Sequence, residues 1–114
     1  MRTEALLIGL ALLTAWDAVA AEKMRFWNTS TRSFIELRLA KPGSTDWGPN
    51  QCLNDKDKSV DADERLALIG VEPGHYDVKL VEKSGKSCVL HDVELKQGGP
   101  YAFSIGEDEL KACQ

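Results

Sequence analysis

The sequence predicts an all-β chain, an antiparallel β-sandwich closed by a short C-terminal helical turn. Two observations carry this. Apolar and polar residues alternate with period two over 34–40, 75–82 and 87–95, the pattern of strands with one buried face. Turn signals separate such segments, and a helical period is visible only in the tail.

The elements follow in order. Residues 24–29, MRFWNT, are aromatic and β-prone and read as a first strand. The polar stretch Asn28 to Ser33 reverses the chain. In Phe34 to Ala40, Ile35, Leu37 and Leu39 are expected to point inward, with Glu36, Arg38 and Ala40 outward. From Lys41 to about Glu64 no period is visible, and a loop above about 15 residues is uncommon in a compact domain and often functional. Arg65 to Val71 forms the next strand, with Leu66 and Leu68 inward. Glu72-Pro73-Gly74 is a tight turn, because proline presets φ and glycine supplies a positive φ. His75 to Glu82 places Tyr76, Val78 and Leu80 on the core face and His75, Asp77 and Lys79 on the other. Lys83-Ser84-Gly85-Lys86 turns back into a strand over Ser87 to Leu95. Its inward set begins as Cys88 and Leu90, then changes phase to Val93 and Leu95, which predicts a β-bulge near His91-Asp92. After Gln97-Gly98-Gly99, Pro100 opens a last strand carrying Tyr101, Phe103 and Ile105. Glu107 to Cys113 suits one or two helical turns, with acidic residues in the first turn as the helix dipole favours. Leu110 and Cys113 share a face of that helix.

The N-terminal residues 1–21 read as a cleaved secretory signal, leaving residues 22–114 as one small domain. Arg2 gives a positive start, Ala5 to Ala15 an apolar run, and Ala18 with Ala20, or Val19 with Ala21, the small residues of a cleavage site. A membrane anchor needs about 18 to 20 apolar residues, and only about 11 run here without a charge. No cysteine lies at the cut, so a lipid-anchored lipoprotein is not expected. The expected location is periplasmic or secreted. Loss of Arg2, Glu4 and Asp17 takes the formal net charge from −4 to −3, so nothing in the charge points to nucleic acid or anionic lipid.

In an oxidising compartment, Cys52, Cys88 and Cys113 are disulfide material first. Three pairings are open, and Cys88–Cys113 is favoured because it ties down a terminus that otherwise frays. Closing that loop of about 26 residues is worth roughly 3–4 kcal/mol in the chain-entropy model. Cys52 is then a buried thiol, a reactive site, or the link of a disulfide-bonded dimer. No Cys-x-x-Cys spacing occurs, which excludes a thioredoxin-type motif.

Candidate sites are sparse. In the long loop, Trp47 is either an anchor that pins the loop or an aromatic contact for a partner, with Asn50 beside it. Asp55, Asp57 and Ser59 alternate like the first ligands of a Ca²⁺ loop, and Asp61, Asp63 and Glu64 add carboxylates, so Ca²⁺ binding is the alternative reading. Against it, Val60 stands where glycine is needed, and Leu66 where the bidentate glutamate belongs. A copper site from His75, His91, Met24 and Cys52 has no spacing to support it, and both histidines are expected at the surface. His75-x-Asp77 shares a strand face, but no nucleophile signature and no phosphate-binding glycine loop occurs. No enzyme is expected, and no cofactor. Asn28-Thr29-Ser30 fits a glycosylation acceptor.

The segment Leu68 to Leu80, with Val71-Glu72-Pro73-Gly74-His75-Tyr76 at its centre, resembles the Pro-Gly-x-Tyr hairpin of prealbumin-like and Ig-like secreted domains. A wider order of features is similar to small exported bacterial β-sandwich proteins. It comprises the aromatic first strand, Trp47-Gly48-Pro49-Asn50, the hairpin, the Cys88 strand and the terminal Leu110-x-x-Cys113. The resemblance implies an exported location and an Ig-like or prealbumin-like build, and it brings no activity. It also implies an apolar residue where Cys52 stands. The function expected is a non-catalytic binding or accessory module with a protein or small-molecule partner.

Overall fold

The computed structural model describes residues 24–113. The expected signal, 1–21, lies outside the described residues. Among the described residues six strands form: β1 (Met24–Asn28), β2 (Phe34–Ala40), β3 (Arg65–Leu68), β4 (Gly74–Glu82), β5 (Ser87–Leu95) and β6 (Phe103–Ile105). A single 3₁₀ turn, Gln51–Asn54, interrupts the long loop, and one helical turn, α1 (Glu107–Leu110), follows β6. No helix among the described residues is long and apolar enough to cross a membrane.

The strands make two three-stranded sheets, ordered β3-β1-β6 and β2-β4-β5. Both contribute to one core. Phe26, Leu66, Phe103 and Ile105 come from the first sheet, Leu37, Val78, Leu80 and Leu95 from the second, and Phe26 stacks on Phe103 at 4.9 Å. The expected antiparallel pairing holds everywhere except between β1 and β6, which run parallel with Phe26 opposite Phe103. The long route through the second sheet brings β6 back beside β1 in the same direction. The strand over Arg65 to Val71 stops at Leu68, and Ile69 is 65% exposed.

Two bulges set the phase of the second sheet. One was legible: between Tyr76 and Val78 the pairing jumps from Val93 to Leu90, so His91-Asp92 carries the extra residue, with Asp92 at φ 55°. The other was not. The β2–β4 register shifts between Phe34 and Glu36, leaving Ile35 as the extra residue. Phe34 is therefore fully buried beside Leu37, and Ile35, expected inward, is only half-buried.

Cys88 and Cys113 form the disulfide, Cα atoms 5.1 Å apart, the pairing favoured for tying down the terminus, although the helix stops at Leu110, short of Cys113. Leu110 is buried in the core and holds α1 against it.

Candidate functional site

The 41–64 segment is ordered by its polar side chains. β2 is an edge strand, and an open edge offers unpaired backbone groups to other chains. Here the loop closes that edge. Phe34 and Val60 exchange N–H···O bonds of 3.0 and 2.9 Å. Asn50 accepts from the Leu37 N–H at 3.0 Å and donates to the Ile35 carbonyl at 2.9 Å, so one amide side chain stands in for a missing strand. Gly48 donates to the Leu39 carbonyl at 2.9 Å, and a Cβ at Gly48 would meet that oxygen at 3.2 Å, so the close approach suits glycine. The edge of β3 is treated alike. Gln51 accepts from the Ile69 N–H at 2.9 Å and donates to its carbonyl at 3.2 Å, while Asn54 donates to Ala67 at 2.8 Å.

Asn50, expected as a partner contact, thus has both ends of its amide engaged within the fold; its oxygen also caps the 3₁₀ turn through the Cys52 N–H. Cys52 points into the core, fully buried, with its thiol toward the Phe34 carbonyl. Burial first, then the charges of Asp55 and Glu36, pushes the thiol up to about 12. A disulfide-linked dimer through Cys52 has no route without opening the core.

The acidic residues are dispersed. Asp55 accepts from the Asp57 N–H, Glu64 from the Asp61 N–H, and Asp63 from the Trp27 indole, each closing its own local contact. Among the described residues, no three of His, Cys, Asp and Glu gather as metal ligands. Asn28 is also structural. It is fully buried; its amide donates to Arg32 and Val60 carbonyls and accepts from the Ser30 N–H and hydroxyl.

The residue that sequence reasoning misplaced is Asp77. Alternation put it on the outer face, and the backbone agrees, yet it is 3% exposed because the 41–48 segment folds over it. Its Oδ2 accepts from the Gly43 N–H at 2.9 Å and lies 3.2 Å from His91 Nδ1; its Oδ1 accepts from the Asp92 N–H at 2.9 Å. One carboxylate therefore ties together the long loop, β4 and the β5 bulge. The Asp92 and Gly43 N–H bonds, outweighing the cost of burial, hold its carboxyl pKa below the usual carboxylate range. His91 Nδ1 on the β5 bulge thus sits within ion-pairing distance of the Asp77 carboxylate. The second histidine mirrors this: His75 on β4 lies 3.0 Å from Asp92 on β5.

Over Asp77 the loop leaves an open hollow of about 360 Å³, with Trp47, Thr45 and Ser44 on one side and Val89 and His91 on the other. Trp47, half-buried, both packs the loop and lines this hollow. A smaller apolar cleft of about 180 Å³ lies elsewhere, between Leu39, Pro49, Ile69, Val71 and Tyr76. No protein-family model, curated protein or solved structure matches the chain.

Proposed function

We propose that this chain is an exported, non-catalytic binding or accessory module of Ig-like or prealbumin-like build, acting in the periplasm or outside the cell through the hollow beside Trp47. The observation that carries it is the placement of Asp77. A carboxylate buried on the outer face of a sheet is costly unless fully bonded, and here its three partners hold the loop in place above the β4–β5 bulge. A loop so held presents a preformed concave surface, the usual form of a ligand site. The Cys88–Cys113 disulfide supports the exported compartment, since such bonds persist where conditions are oxidising.

The hollow is tested by a fragment screen on the ¹⁵N-labelled domain. Binding fragments are expected to shift the amides of Gly43, Trp47, Asp77, Val89 and His91 together. Fragments that scatter over the surface, or gather elsewhere, overturn the reading. Export is tested by the N-terminus of the secreted protein, expected at Ala21 or Glu22; an intact Met1 overturns it.

A further inference from the structure

We propose that the hollow takes a neutral saccharide, an inference that rests on the binding-module reading and names its ligand. The lining decides the class by elimination. Among the described residues no lysine or arginine borders it, so an anionic ligand has no counter-charge. The one carboxylate, Asp77, is buried and contacted by Gly43, Asp92 and His91, so it is not presented to a cation as a free anionic ligand. What remains is amphipathic. The Trp47 indole and the Val89 side chain give apolar surface, and Ser44, Thr45 and His91 give hydroxyls and an imidazole.

A sugar ring has the matching character: a face of C–H groups that lies on an aromatic plane, and a rim of hydroxyls that donate and accept. His91 is suited to that rim. Its Nδ1 faces Asp77 at 3.2 Å, and the ring's other nitrogen is a polar partner for a hydroxyl. Ser44 Oγ accepts from the Asp46 N–H at 3.0 Å, which orients the hydroxyl and leaves its proton to donate. At about 360 Å³ the hollow lies at the small end of ligand sites, the scale of one or two rings. Its openness matches a chain of sugars lying across it rather than a molecule enclosed.

The test is chemical-shift mapping on the ¹⁵N-labelled domain with cellotriose, maltotriose and N-acetylated chitotriose, each to about 20 mM, since a shallow site of this kind binds in the millimolar range. At least one is expected to shift the Trp47 indole N–H with the Val89 and His91 amides. Trp47→Ala is expected to weaken it at least about tenfold and Trp47→Phe to restore most of the loss, and His91→Phe weakens it while keeping an aromatic ring. Each variant's spectrum reports whether it is folded. No shift in the hollow with any of the three sugars overturns the proposal. So does occupancy by a tyrosine-bearing tripeptide alone. If fragments gather in the hollow while the sugars do not, the saccharide assignment falls and the binding-module reading stands.

Discussion

The Gly43 N–H lies 2.9 Å from Asp77 Oδ2, and this contact holds the start of the long loop on the outer face of the second sheet. The same oxygen meets His91 at 3.2 Å, so the loop and the bulge share one anion.

The stability due to Asp77 is therefore expected to depend on pH in one direction. Its folded pKa is lowered, so its contribution is present above the unfolded value of about 3.9 and is lost as pH falls through the folded one. Asp77→Asn turns an amide nitrogen toward N–H donors and lowers Tm at pH 6. The gap between variant and wild type narrows below about pH 4. Thermal melts from pH 2 to 7 check this; a gap that stays constant across that range counts against it.

Asn50 serves Ile35, Leu37 and Cys52 with one side chain. Asn50→Ala leaves those backbone groups unpaired and is expected to cost about 2–3 kcal/mol. Reopening the β2 edge should also make the variant self-associate. Urea titration and light scattering read the two effects separately. An unchanged midpoint would mean that water replaces the amide at no cost.

The cysteines should divide sharply. Cys52 is fully buried with its thiol pushed up to about 12, so native protein at pH 8 resists alkylation and unfolded, unreduced protein takes up one label, at Cys52. Because that folded value is raised, burying the neutral thiol stabilises the fold below the unfolded value of about 8.5, and the contribution is lost as pH climbs toward 12. Cys113→Ser removes a bond closing 25 residues of sequence separation and should destabilise by about 3 kcal/mol. Label found on Cys88 or Cys113 of the unreduced protein would contradict the pairing.

The Asn28-Thr29-Ser30 triplet should carry no sugar in folded protein. Asn28 is fully buried and its amide makes four hydrogen bonds. A glycan added before folding would exclude the native state. Expression in a glycosylating host should therefore yield folded protein of unmodified mass. A glycosylated form with native circular dichroism would show that Asn28 is dispensable to the core.

Much of the frame was readable because burial writes a period into a strand. The phase change between Leu90 and Val93 betrayed the bulge at His91-Asp92, and the need to tie down a fraying terminus pointed to the Cys88–Cys113 pair found. Three features left no such mark. The bulge at Ile35 is hidden because Phe34, Ile35, Leu37 and Leu39 are all apolar, so either phase looks sound. The parallel β1–β6 pairing depends on where a distant strand arrives. Asp77 is polar at an outward position, as any solvated residue would be, and only the loop folding above it makes it buried. The amides of Asn50, Gln51 and Asn54 were equally silent, since a side chain that completes a sheet edge has the composition of a loop.

The Asn50 contacts to β2 also bear on how the chain folds. They span only 13 and 15 residues of sequence, and Gly48 reaches Leu39 over fewer still. Contacts this local close quickly, ahead of the long-range pairing of β1 with β6. In a chain emerging N-terminus first, β2 is shielded on one side before β4 exists to cover the other. The nascent strand is thus kept from neighbouring chains at the stage when it is most exposed to them.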